Sequence, residues 1–178
     1  VVLCTGVEAD DYMGMYAHKN QQEYRKTGAY PFILHFVDKD LLQLWGPYYD
    51  PSKSTLKEPI LWVEKDEAAR SLAMQFLMGD STDTILGIGG VNEDIIETYG
   101  LRGVSSIGEA SAKKILEGAN TPKEMFSRVV NSYRIVHWDD CMKHLQESFR
   151  LLWMLRTKKV DLDVRDVLLN PLGVEYPE

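Results

Sequence analysis

Cysteine is nearly absent from this chain of 178 residues: Cys4 and Cys141 are the only two, far apart and without metal-type spacing. That excludes a disulfide framework and fits a reducing, intracellular setting. Positive charge is scarce as well, with 20 Lys and Arg against 27 Asp and Glu and a net charge of −7. Taken alone, this argues against nucleic acid as a partner, because phosphate binding usually shows as a basic stripe. The argument weakens where acids gather around cations, since a bound divalent ion inverts the local charge. Histidine offers no help to catalysis: His18, His35, His137 and His144 are scattered, and packing or surface roles suit them better. No apolar run approaches the roughly 20 residues of a membrane helix. The opening "VVLC" lacks the basic flank of a signal peptide. The chain starts at Val1 inside what reads as a strand, so we expect a further N-terminal portion upstream of it.

What is present is an ordinary globular composition, 44% hydrophobic and 26% charged, enough to bury one substantial core. Val1–Cys4 reads as a short strand, and Ala9, Met13, Tyr16 and Ala17 recur near helical spacing, predicting a helix that runs towards Lys26 and stops at Gly28. "FILHFV", Phe32–Val37, has the continuous apolar character of a parallel strand buried on both faces. A short helix is expected at "DKDLLQL", and "GPYYDPSKSTLKEP" reads as a loop or hairpin leading into "ILWV". Ala69, Leu72, Ala73, Phe76 and Leu77 mark one face of a helix over Glu64–Met78, ended by Gly79. Further helices are expected around Lys113–Leu116 and over Asp139–Arg156, and the tail from Val160 reads as an extended segment. Trp62, Trp138 and Trp153 read as core anchors. The alternation of strand and helix favours an α/β layer followed by a helical second half.

The acids carry the chemistry. Glu8, Asp10 and Asp11 follow the first strand, Asp38 and Asp40 follow the second, and Asp80 and Asp83 in "GDSTD" follow the Glu64–Met78 helix. In an α/β sheet the C-terminal strand ends share one edge, where functional groups collect. Seven converging carboxylates would repel one another unless cations were present. All-oxygen ligands suit Mg²⁺ or Mn²⁺, and two such ions about 4 Å apart are a known arrangement for in-line phosphodiester hydrolysis. Each cluster also has a plain structural reading. "GVEADD" suits a helix N-terminus, "DKD" suits a helix cap, and "GDSTD" suits a polar turn after a helix.

"EADD", "VDKDLLQL", "FLMGDSTDTILGI" and "GVSSIGEASAKKIL", in that order, resemble the 5′-nuclease (flap endonuclease) superfamily, closest to bacteriophage 5′→3′ exonucleases and the 5′-nuclease domain of bacterial DNA polymerase I. The resemblance covers Gly6 to Leu116. It implies a PIN-like parallel sheet flanked by helices, then a mainly helical part with a helix–hairpin–helix element that grips duplex DNA. Residues 1–78 would be the C-terminal part of the nuclease core, and 79–178 the helical region. By motif match Glu8, Asp10 and Asp11 correspond to the family's second acidic cluster, Asp38 and Asp40 to the pair on the next strand, and Asp80 and Asp83 to the "GDxxD" acids. All seven are expected to be metal ligands and catalytic, the earlier cluster serving mainly one ion and the later acids the other.

In the hairpin, Gly103, Ser105, Ser106, Gly108, Lys113 and Lys114 are the expected DNA contacts, with a monovalent cation as a further ligand of the hairpin. The implied activity is two-metal hydrolysis at or near DNA 5′ ends or flaps, with RNA primers as a second substrate, in phage-type DNA replication, recombination or degradation. A phage-type member would work in its host's cytoplasm. The chain departs from the family pattern in three places. The family's first two metal-binding Asp residues lie upstream of Val1, Gly89–Arg102 reads as mostly an insertion, and Ala110 occupies a commonly basic position. Two other classes stay open on the residues: a catalytically silent structure-specific DNA-binding subunit, and an interaction domain that binds no nucleic acid.

Overall fold

The computed structural model describes residues 8–177. The expected first strand, Val1–Cys4, lies outside the described residues. By its contacts the chain divides into two compact units, residues 1–71 with 154–161, and 72–153 with 162–178.

The first unit is one long helix against a small sheet. Helix α1 (Ala9–Thr27) follows the predicted period and ends at Gly28, whose φ of 74° allows its N–H to reach the Tyr24 carbonyl at 2.8 Å. Its buried face includes two amides rather than only apolar side chains. Asn20 exchanges two hydrogen bonds with the Phe32 backbone, at 2.8 and 3.0 Å, and Gln21 donates to the Trp45 carbonyl at 3.0 Å. These bonds satisfy the amides and fix where the chain enters the sheet. Strands β1 (Leu34–His35), β2 (Gly46–Tyr49) and β3 (Leu61–Val63) form a mixed sheet in that order. β1 pairs parallel to β2 with Leu34 opposite Tyr48, and β2 pairs antiparallel to β3 with Pro47 opposite Trp62. Leu34, Phe36, Leu41, Leu44, Tyr48, Val63, Ala17 and Met154 form the core.

This corrects two expectations. Only Leu34 and Phe36 of "FILHFV" are buried, while Ile33 and Val37 are 53% and 61% exposed. The run alternates with period two and covers one face, so it is a one-sided strand, not a two-sided one. The PIN-like parallel sheet flanked by helices, and the α/β class with it, are likewise overturned: the chain is 54% helical, with a three-stranded mixed sheet as its only sheet among the described residues. Apolar residues mark the places of β1 and β3, whereas β2 falls in the turn-rich stretch; how many strands would pair, and in which direction, was not readable.

Residues 154–161 return to the first unit as a strap across α1. The Leu155 carbonyl sits against Gly14, where a Cβ would collide with it, and the Leu155 N–H donates to Asp11 Oδ1 at 2.9 Å. Arg156 reaches the Gln43 carbonyl at 3.3 Å.

The second unit is helical. Helix α2 (Lys65–Met78) begins in the first unit and buries Leu72, Ala73, Phe76 and Leu77 in the second, as its period predicts. Helices α3 (Glu93–Tyr99) and α4 (Glu109–Ile115) precede the longer α5 (Pro122–His137) and α6 (Cys141–Leu152). A capping box opens α5, with Thr121 and Glu124 satisfying each other's backbone and Pro122 at the first turn. The buried Tyr133 hydroxyl donates to the Phe76 carbonyl at 2.9 Å and pairs with Ser148 Oγ at 2.7 Å, joining α2, α5 and α6. Burial raises the pKa of that phenol.

Helix α6 is shorter than the expected Asp139–Arg156, because the chain turns extended at Trp153. The tail, expected to be extended, contains a helical turn at Arg165–Leu169 and helix α7 (Asn170–Leu172). Val164, Leu168, Leu169 and Val174 are buried there, and Gln146 holds its start through the Leu162 carbonyl and Val164 N–H. Trp62 and Trp138 are not core anchors: they are 53% and 66% exposed.

Candidate metal centre

In the second unit the acids of "GDSTD" sit on a tight reversal that the sequence builds locally. Gly79 ends α2 at φ 72°, and Gly87 at φ 59° passes directly beside it. A Cβ on either glycine would strike the backbone of the other strand of the turn, so both positions require glycine for space as well as for φ. Between them, Asp80 and Ile85 exchange backbone hydrogen bonds of 2.9 and 2.8 Å. Thr84 closes the reversal at φ 62°, a conformation that is strained for a β-branched residue.

Asp80 is 7% exposed, and its Oδ1 accepts the Thr82 N–H at 2.7 Å. Asp83 is exposed. One carboxylate oxygen of each lies within 4.8 Å of the other. The turn therefore holds two anionic groups close together on a backbone with little freedom to separate them. A hard divalent cation relieves that repulsion, and an all-oxygen pair matches Mg²⁺ or Mn²⁺ better than a softer metal.

The hairpin expected at Gly103–Leu116 is the end of a loop that follows the seven-residue helix α3, together with the seven-residue helix α4. Asn92 caps α3 by accepting the Ile95 N–H at 2.9 Å, and Gly100 ends it at φ 63°. The segment read as an insertion thus supplies the first helix of the pair; the signal that could have found it is Asn92 followed by "EDII" and a stopping Gly100. Gly103, Ser105, Ser106 and Gly108 are exposed on the loop, and Arg102 adds an exposed cation that the sequence reading did not single out. Lys114 donates to the Gly100 carbonyl at 2.7 Å, and Lys113 pairs with Glu109. Hydrogen bonding from Lys113, with its charge, lowers the Glu109 pKa. A cavity of about 370 Å³ opens between this loop and the acidic turn, lined among others by Ser81, Thr84, Gly89, Gly90 and Ser106.

His137, at the end of α5, braces the same region through its Nε2 and the Ile88 carbonyl at 3.0 Å, and stacks on His144 with ring centres 3.9 Å apart. Burial, then the neighbouring His144, lowers its pKa, while Ile88, Asp140 and Glu147 oppose the shift.

In the first unit the acids are dispersed by role. Glu8 is exposed just before α1, Asp10 is in its first turn, and Asp11 takes the Leu155 N–H. Asp38 caps the helical turn Lys39–Gln43 by accepting the Asp40 N–H at 2.9 Å, and Asp40 is half-buried on that turn. Among the described residues, no three ligand-type side chains of this unit cluster together. No protein-family model matches the chain, and no solved structure matches it.

Proposed function

We propose that the chain acts in divalent-metal-dependent hydrolysis of DNA phosphodiesters at or near 5′ ends, as a 5′→3′ exonuclease or flap endonuclease. The observation that carries this reading is the Asp80–Asp83 pair, held within 4.8 Å on a glycine-locked turn. The order of the four motifs adds support. In this reading Asp80 and Asp83 hold one Mg²⁺ or Mn²⁺; the motif match makes Glu8, Asp10, Asp11, Asp38 and Asp40 metal ligands too, and of these Asp11 is taken by the Leu155 N–H. When bound, such an ion lowers the pKa of attacking water and offsets charge on the phosphoryl oxygens.

The chain's own contribution is positional. The Thr82 N–H holds one oxygen of the Asp80 carboxylate at 2.7 Å, which fixes the side chain beside the exposed Asp83. The exposed loop of Arg102, Gly103, Ser105 and Ser106 supplies backbone and hydroxyl donors to duplex phosphates, which position DNA without reading its sequence. A monovalent cation at this loop and RNA primers as substrates belong to the same proposal.

The test is cleavage of 5′-labelled flap and duplex DNA by the chain in Mg²⁺, Mn²⁺ and EDTA, beside a calorimetric Mn²⁺ titration. Metal-dependent cleavage, with Mn²⁺ binding lost in Asp80→Asn/Asp83→Asn, supports the reading. Absence of cleavage in both metals overturns it, whether or not Mn²⁺ binds.

A further inference from the structure

We propose that the aromatic pocket on the first unit, formed by Tyr24, Tyr30, Trp45 and Trp62, is a stacking site for the bases of single-stranded nucleic acid. The four rings form one connected set. Tyr24 and Tyr30 stack with centres 4.3 Å apart, both meet Trp45 edge-on at 6.4 and 6.3 Å, and Tyr30 meets Trp62 at 5.3 Å. They border a cavity of about 360 Å³, large enough for a ring system but not for a duplex. Trp62 is 53% exposed and Tyr24 40%, although both residue types usually bury most of their area. Large flat surfaces are thus left open beside rings that are already held in place by their neighbours, so little side-chain freedom is lost when a planar ligand arrives.

The charges decide between occupants. Lys65 Nζ lies 4.9 Å from the Trp45 ring centre and the Arg25 guanidinium 5.9 Å from it. An external ammonium, such as a methylated lysine, would meet a ring already engaged by two cations, so the pocket is not a cation cage. Among the described residues, no carboxylate forms an ion pair with Arg25 or Lys65, which leaves both charges available to an anion. A ligand with π faces and a phosphate uses the rings and the cations together. A proline-rich peptide uses only the rings. Glu64 and Asp66 also line the pocket, and they oppose a second run of phosphates across it. One or two nucleotides of a flexible strand therefore fit better than a continuous backbone track.

This inference rests on the nucleic-acid reading above, but its test does not need hydrolysis. Binding of a fluorescein-labelled oligothymidylate of about twelve nucleotides is followed by anisotropy in EDTA, with the full chain, at about 50 and about 200 mM salt. Trp62→Ala and Tyr24→Ala are each expected to weaken binding about fivefold or more. Lys65→Gln is expected to weaken it and to reduce the salt slope by about one. Far-UV circular dichroism checks each variant, and if Trp62→Ala does not fold, Tyr24→Ala carries the test.

Wild-type affinity retained in a folded Trp62→Ala or Tyr24→Ala variant overturns the proposal. So does a wild-type chain that binds no oligonucleotide at low salt, or one that binds a proline-rich peptide through Trp62 and not the oligonucleotide. Trp62-dependent binding without any cleavage in Mg²⁺ would sink the nuclease reading and leave this site standing. Cleavage with unchanged binding in the variants would do the reverse.

Discussion

"GVEADD" and "GDSTD" have similar compositions, yet their acids are put to different uses. In the first, the Asp11 carboxylate accepts a backbone N–H from Leu155, 144 positions away. In the second, Asp80 accepts from Thr82, two positions on, and leaves Asp83 exposed beside it. A carboxylate that closes a long-range contact is spent on the fold. A carboxylate that accepts from within its own turn needs no distant segment to hold it in place. Similar sequence company can therefore tie an acid to a distant segment or to its own turn, and the distance along the chain to the hydrogen-bond donor tells the two apart.

The sharpest way to break that contrast is to remove one acid of each kind. Asp83→Ala should lower Mg²⁺-dependent cleavage by about 100-fold or more, if the ion it holds contributes the several kcal/mol expected of a catalytic metal. Because Asp83 is exposed, its melting temperature should stay near that of the wild type. Loss of activity together with a large loss of stability would mean that Asp83, like Asp11, serves the fold. Full activity in Asp83→Ala would remove the metal assignment altogether.

The next largest effect concerns the turn itself. Gly79→Ala forces a Cβ into the Ile85 carbonyl and the Gly87 N–H while holding φ at 72°. We expect a loss of about 3 kcal/mol, within the range for backbone strain combined with overpacking, read by denaturant unfolding. Gly90→Ala is the control, since nothing lies within 4 Å of its built Cβ. Similar stabilities for the two variants would show that the turn is not locked in the way the contacts indicate.

Asp11→Ala should cost less, about 1–3 kcal/mol, because it leaves the Leu155 N–H without its charged acceptor in a partly buried strap. The expected signature is faster hydrogen exchange at Leu155 and Arg156, with Mn²⁺ affinity unchanged. Reduced Mn²⁺ affinity at wild-type exchange would return Asp11 to the metal-binding acids.

These two acidic stretches also mark what the residues disclosed and what they did not. Helices α1 and α2 were legible to within a residue or two, because their apolar periods and the stops at Gly28 and Gly79 are local signals. The turn-rich stretch Gly46–Pro59 suits a loop or a hairpin equally, and only the pairing with β3 makes its first four residues strand β2. The sheet was not legible: Phe32–Val37 looks continuous in sequence, and only the pairing partner decided that Leu34 and Phe36 face the core and Ile33 and Val37 do not. Asn20 and Gln21 were invisible as core residues, since a buried amide is recognised only with its carbonyl partners, here Phe32 and Trp45. In the candidate centre, the turn at "GDSTD" was legible because it closes on itself, Asp80 pairing with Ile85. The task of Asp11 was not, because its donor is encoded at the far end of the chain.

The smallest expected effect is one of pH, and it separates the two units by their histidines. His137 has a pKa lowered below 6.5 by burial and then by His144, and the folded state therefore favours its neutral form. The unfolded chain, with an ordinary imidazole, takes up more protons as pH falls through that range. The stability contributed by neutral His137 is thus complete above about pH 6.5 and is lost as pH drops towards the folded value. Asp50, Glu109 and Glu124 are held below their ordinary values by Ser52, by Lys113 and by the Asn120 N–H respectively, so their contributions disappear only at more acid pH.

His18 in the first unit is lowered too, by burial, then Arg156 and Arg25, so the wild type should show two overlapping losses on acidification. His137→Gln should remove only the second unit's share. Melting followed between pH 7.5 and 5 should then give a shallower slope for the variant, with hydrogen exchange at Ile88 and Gly89 no longer accelerated by acid beyond the intrinsic rate. An unchanged slope would place the acid sensitivity in the first unit, and would mean that the His137–Ile88 contact does not hold the acidic turn's C-terminal arm in place.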